Sequence, residues 1–132
     1  HHISGCLKIA PEHFSTKVVS LMGKDNTRFD EFLTYFTKIN AQKKQALRYY
    51  FMIGHPGDTL SEVLYLRDII RKKHLENIEQ FQVFTPTPMT VSSCMYWTGL
   101  NPFTGAPIEV AYEYGTKKKL KRIMLDLMRH QS

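Results

Sequence analysis

RYYFMIGHPGDTLSE, residues 48–62, reads as a buried strand, a tight loop and the first turn of a helix. Leu47 and residues 49–53 form a near-continuous apolar run, the pattern of a strand covered on both faces. Gly54, Pro56, Gly57 and Asp58 form a cluster of turn residues. Thr59 and Glu62 have the spacing of a capping box, so a helix is expected to start there. In a parallel α/β fold, ligands bind beyond the carboxyl ends of such strands.

Toward the N-terminus, residues 3–10 read as a short strand, with Leu7 and Ile9 alternating against Cys6 and Lys8, and with Pro11 ending it. Ser15 is placed to cap a short helix running to Met22, and Gly23 to close it. Thr27 and Asp30 resemble a second capping box. Phe29, Phe32, Leu33 and Phe36 then share one helical face, with Lys38, Lys43 and Lys44 near the helix end.

Toward the C-terminus, Leu60, Val63, Leu64 and Ile70 supply the inward stripe of the helix that follows GHPGDT. Residues 78–84 read as a third strand, with Phe81 and Val83 alternating against Gln80 and Gln82, so one face is wet. Pro86 and Pro88 keep the TPTPMT segment extended, and Thr90 caps a short helix. GLNPFTGAP, residues 99–107, is rich in turn formers and separates a layered core from a C-terminal appendage. Residues 108–112 read equally as a short strand or as extended chain. A last helix is expected over residues 116–128, with Leu120, Ile123, Met124 and Leu127 as its apolar stripe among six cations.

Three strands alternating with helices argue for parallel crossover connections. The expected class is α/β: a fragment of a partial (β/α) TIM-like barrel with parallel strands, plus a short helical C-terminal extension. Residues 1–98 form the barrel half; residues 99–132 form the turn-rich linker and basic helix. Three strands are few for a free-standing sheet, and the chain starts without a Met, so a piece of a longer protein is expected.

A length of 132 residues and a hydrophobic fraction of 42% suit one ordinary domain and argue against wholesale disorder. The formal charge of +6 permits nucleic acid, an anionic cofactor or an acidic surface as partner and selects none of them. Cys6 and Cys94 have no metal-ligand spacing and form no disulfide framework, which favours a reducing, cytoplasmic setting; both read as buried thiols. No apolar run reaches the roughly 20 residues a membrane span needs, and HHISGCLK is not a secretory leader.

GHPGDT is neither a Walker loop nor a dinucleotide fingerprint. Its glycines allow close backbone approach, and the helix start beyond offers free amides. A ligand loop and a structural turn are both open readings, as they are for His55, a titratable group near neutral pH. Glu12 and His13 sit at the first strand's end, where Glu12 suits a cofactor hydroxyl or ammonium, or else the start of the next helix. Thr85, Thr87 and Thr90 line either a ring-binding segment or a rigid crossover. Tyr96 and Trp97 read as core or interface residues. The basic C-terminal helix, with Tyr112 and Tyr114 near it, reads as a solvated face or as a surface for nucleic acid.

SGCLKIAPEH (residues 4–13), LMGK (21–24), GHPGDT (54–59), FTPTPMT (84–90) and YWTGLNPFTG (96–105) together resemble the second half of the catalytic barrel of a radical S-adenosylmethionine enzyme, of the uncharacterised YgiQ-like family. The resemblance covers nearly the whole length. It implies that Glu12, with His13, faces the ribose and methionine part of the cofactor. It also implies that Ile53, Gly54 and Asp58 line the adenine region, and that backbone near Thr85 meets the adenine edge. The family's [4Fe–4S] cluster is held by a CxxxCxxC motif that this chain lacks, so no metal ligand is assigned here and neither cluster nor cofactor is expected on this segment alone. The resemblance implies that the parent protein cleaves the cofactor to a deoxyadenosyl radical that abstracts a substrate hydrogen. The expected partners are the other half of the same barrel and a substrate of unknown class, with no membrane. The competing expectation is a small basic nucleic-acid-binding or interaction module without catalysis.

Overall fold

A computed structural model describes residues 5–129. Ile3 and Ser4, in the expected first strand, lie outside the described residues. Three strands, β1 (Cys6–Glu12), β2 (Ala46–Ile53) and β3 (Ile78–Val83), form one parallel sheet in the order β1-β2-β3. The crossovers carry helices α1 (Thr16–Leu21) and α2 (Phe29–Asn40), then α3 (Leu60–Lys72). After β3 come α4 (Val91–Thr98) and α5 (Tyr114–Arg129). The fold is therefore α/β with an open sheet, an arc of the kind a partial (β/α) barrel fragment provides.

The helix ends follow local chemistry unevenly. Ser15 Oγ accepts from the Val18 amide and Thr90 Oγ1 from the Ser93 amide, so both predicted caps form. Gly99 closes α4 at φ 67°, in the left-handed region that favours glycine. The two predicted capping boxes do not form. Thr59 holds the cap position of α3, but its hydroxyl pairs with Ser61 Oγ. At α2 the cap position falls to Arg28, because Asp25 takes the Thr27 amide in a local turn of its own.

Pro11 does not end β1. It lies inside an edge strand whose register shifts between Ile9 and Glu12, where a missing amide costs no ladder bond.

The core lies on one face of the sheet. Leu47, Tyr49, Phe51 and Ile53 of β2 point into it, with Val63, Leu66 and Ile70 of α3 and Phe81 of β3. Leu66, not Leu60, belongs to the inward stripe; Leu60 is exposed in the first turn. Phe51 is the hub, with the rings of Phe14, Tyr49 and Phe81 at 5.6, 6.4 and 5.7 Å. Helix α5 packs on α3 and the sheet and adds Leu120, Met124 and Leu127 to the same core, so the segment after Thr98 is not packed apart from what precedes it. Residues 108–112 are extended chain without strand pairing.

The expectation that β2 is covered on both faces fails. Arg48, Tyr50 and Met52 alternate with the core residues and face outward beside Lys8, Gln80 and Gln82. On this open face, Glu79 Oε1 accepts from Lys8 Nζ at 2.9 Å and Oε2 from Arg48 at 3.1 Å. Lys8, with the Tyr50 hydroxyl and Arg48, holds the Glu79 carboxyl at about 2, against an ordinary 4.5. A lowered carboxyl pKa stabilises the fold above the ordinary value, and that contribution is lost as pH falls from 4.5 toward 2. Glu79→Gln is therefore expected to flatten this part of the acid limb in urea-midpoint measurements taken from pH 6 to pH 2. An acid limb as steep as that of the unsubstituted chain would contradict the assignment.

Candidate functional site at the carboxyl edge of the sheet

The three strands end side by side at Glu12, Ile53 and Val83, and the loops beyond them enclose an open cavity of about 300 Å³. Glu12 of β1 lines it together with Met22 and Lys24, which follow α1. Met52, His55, Gln82 and Phe84 come from β2, β3 and the residues just past them. Thr85, Thr87, Thr90 and Ser92 complete the wall and carry four hydroxyls. The lining thus combines one phenyl ring and two thioethers with eight polar side chains, more polar than the usual small-ligand cleft.

Glu12 stands at φ 67°, a left-handed conformation that non-glycine residues rarely adopt. Such strain concentrates at functional positions. The register shift in β1 turns its carboxylate toward the cavity mouth, where Oε1 accepts from Lys24 Nζ at 3.1 Å. Both side chains keep partial solvent access, so this acceptor can exchange partners.

His13 lies beneath the cavity. Its Nδ1 accepts the Ser15 amide at 2.9 Å, so Nε2 carries the ring hydrogen. Nε2 lies 3.2 Å from Asp58 Oδ1 without the alignment of a good hydrogen bond, and neither atom has another partner. Asp58 Oδ2 accepts the Gly54 amide at 2.7 Å. Asp58 thereby closes the loop after β2 on itself and sets its other oxygen against His13 of the loop after β1. His55, Pro56, Gly57 and Asp58 form a tight turn closed by Asp58 N–H to His55 O at 2.8 Å. Gly57 sits at φ 87°, and a Cβ there would meet Leu21 Cδ1 at 2.5 Å. The Pro-Gly pair suits the type II turn this requires.

His55 is buried at the cavity wall. Its Nδ1 lies 2.9 Å from the Pro56 carbonyl, which can only accept, so Nδ1–H donates and Nε2 is left to accept from Ser92 Oγ at 2.8 Å. Burial pushes the imidazole below its ordinary 6.5, which favours this neutral form. The edge of the ring meets Phe84, with centroids 5.1 Å apart.

Of the residues expected at the site, Glu12 and Thr85 line the cavity. His13, Ile53 and Asp58 are buried and do not line it, Asp58 lining instead a separate cavity with Glu109 and Thr116, and Gly54 contributes the amide that holds Asp58. Met22, Lys24 and Phe84 fall within the quoted segments LMGK and FTPTPMT without an assigned role, and Met52, Gln82 and Ser92 have no assigned site role either. The signal for them was positional: each lies near the carboxyl end of a strand or at a helix end on that same side.

Cys6 is half-buried and Cys94 exposed, which corrects the reading of both as buried thiols. Tyr96 is buried but Trp97 is not a core residue. Among the described residues no three His, Cys, Asp or Glu side chains gather to hold a metal ion. Also among them, no helix is long and apolar enough to cross a membrane.

The fold is a parallel α/β unit with an open cavity at its strand ends. The comparisons with known proteins add relatives to that class. Residues 79–131 match a family model described as a domain of unknown function (DUF3362). The whole chain is 45% identical over 135 residues to a UPF0313 protein of Methanosarcina acetivorans, of which it covers 18%. It is 44% identical over 128 residues to a UPF0313 protein of Geobacter sulfurreducens and 42% over 129 residues to one of Methanocaldococcus jannaschii. Those matches take in 95% of the chain and 21% of each relative. The chain thus spans about a fifth of the length of the curated relatives it matches.

Proposed function

We propose that this chain is part of a radical S-adenosylmethionine enzyme of the YgiQ-like kind, and that its cavity takes the ribose and adenine side of the cofactor. The observation that carries the reading is convergence: the segments LKIAPEH, LMGK, GHPGDT and TPTPMT, far apart in sequence, all contribute residues to one cleft or to its support. The donor set fits a nucleoside-like group. Glu12 offers a carboxylate to hydroxyls or an ammonium, the threonine and serine hydroxyls offer both donors and acceptors, and Phe84 with Met52 offers an apolar wall. The set does not fit an iron–sulfur cluster, because Cys6 and Cys94 stand on β1 and α4 without a third thiol. Those ligands belong to the other part of the polypeptide, which would also cover the open sheet face. When bound, cofactor and cluster supply the radical chemistry, while these residues bind, orient and exclude water. A reducing cytoplasmic setting goes with the free cysteines.

The test uses the full-length polypeptide that contains this chain, reconstituted anaerobically with iron and sulfide. The expected results are cluster absorbance and 5′-deoxyadenosine formation. Their absence from well-folded protein would overturn the reading. In that protein Glu12→Ala is expected to weaken S-adenosylmethionine binding roughly 10- to 100-fold, the worth of one charge-assisted hydrogen bond at about 1.5–3 kcal/mol. An unchanged dissociation constant would remove Glu12 from the site.

A further inference from the structure

We propose that the face formed by α4 and the first half of α5 binds single-stranded nucleic acid. Lys118, Lys119, Lys121 and Arg122 are all exposed there and have no ion-pair partner among the described residues. Tyr114, Lys118, Lys121 and Arg122 fall at i, i+4, i+7 and i+8, so they form one stripe along the helix, about 12 Å long. In sequence the flanking acids are Glu109 and Glu113 before the stripe and Asp126 after it, and Asp126 lies 3.8 Å from Arg129.

Rings accompany this charge. Tyr114 is 79% exposed, Trp97 74% and Tyr112 52%. Trp97 and Tyr112 are held in place, because both pack edge-on against the buried Tyr96, with centroids at 5.3 and 5.1 Å. Lys117 ties the two helices together: its Nζ donates to Tyr96 Oη at 3.1 Å and lies 4.8 Å from that ring's centroid. Exposed rings and a row of cations, linked here through Lys117 on Tyr96, are what unstacked bases and a phosphate backbone need. Paired bases in a duplex hide the faces that these rings would stack on, and an acidic peptide has no use for them.

The surface also adjoins the cleft. A Cβ on Gly54 would lie 4.0 Å from Lys117 Cγ. Tyr96 lies 5.9 Å from Phe84, a cavity residue. A strand held on α4 and α5 would therefore run past the mouth of the candidate site. Binding at this face does not depend on the cofactor reading and can be measured without iron or S-adenosylmethionine.

The experiment is fluorescence anisotropy on the full-length polypeptide with a labelled 20-nucleotide single-stranded RNA. The comparison probes are the matching single-stranded DNA, its duplex, heparin and a glutamate-rich peptide. A single strand should bind more tightly than the other three probes, and its affinity should fall with salt. Trp97→Ala with Tyr114→Ala should lower affinity roughly 5- to 150-fold for each stacked base lost, at about 1–3 kcal/mol per base, and leave the salt slope alone. Lys118→Gln, Lys121→Gln and Arg122→Gln together should reduce the slope by about 2, at ~0.7 per phosphate contact. All five positions are on the surface, so the variants should fold. No binding at 50 mM salt would overturn the proposal. So would equal or tighter binding of heparin, duplex or peptide, or an affinity indifferent to both variants.

Discussion

Asp58→Ala is expected to destabilise the fold by about 2 kcal/mol, the larger part of it from the Gly54 amide left without its acceptor. The carboxylate is buried and faces two groups that cannot turn elsewhere. The Gly54 amide donates to Oδ2 at 2.7 Å from a left-handed backbone position. His13 Nε2–H faces Oδ1 at 3.2 Å, and the ring cannot exchange tautomers without losing the Ser15 amide on Nδ1. A buried donor stripped of its acceptor costs about 1–3 kcal/mol, and the Gly54 amide is that donor; the His13 ring also loses the carboxylate it faces. Asp58→Asn should cost about half as much. Its carbonyl oxygen keeps one donor, while its amide nitrogen opposes the other. Urea denaturation of the three chains measures the order. An Ala variant within 1 kcal/mol of the parent would mean that Asp58 does not hold the loop after β2 in its closed form. Because Glu12 immediately precedes His13, the Ala variant should also loosen the cavity edge and lower the apparent affinity of whatever binds there.

The surroundings of Asp58 also show which parts of the site could be read from sequence. The element order, the parallel strands and the caps at Ser15 and Thr90 follow from local chemistry, and local patterns carried them. The His13–Asp58 and His55–Ser92 contacts join residues 45 and 37 apart. They exist only because adjacent parallel strands bring their following loops to one edge, and periodicity holds no record of that. His55 in isolation read as an unremarkable loop histidine; its partner on α4 is what makes it part of a wall. Both failed capping boxes have the same lesson at short range, since Asp25 and Ser61 offered nearer partners to groups the boxes would have used. The second face of β2 was misread because Tyr50 and Met52 are apolar by composition. They stand on an open face beside Lys8, Arg48 and Gln82 instead of filling a second core layer.

Phe51→Ala is expected to cost about 3–5 kcal/mol, the range for removing a fully buried aromatic ring. Its ring meets Phe14 from the loop after β1, Tyr49 within β2 and Phe81 of β3, so the cavity it leaves cannot be filled by moving any single neighbour. Phe51→Leu keeps most of the apolar volume but loses the ring–ring contacts, each worth about 0.5–1.5 kcal/mol beyond area, and should fall between the parent and the Ala variant. The effect also bears on the site. Phe51 lies one residue before Met52 of the cavity wall, and Phe14 lies one residue after His13, so the hub sets the spacing of the strands whose ends carry the cleft. Thermal and urea unfolding of the three chains, with ligand affinity measured in parallel, separates the two consequences. If Phe51→Ala unfolded within 1 kcal/mol of the parent, the strands would be held together from elsewhere, and the carboxyl-edge geometry would have to be explained without this core.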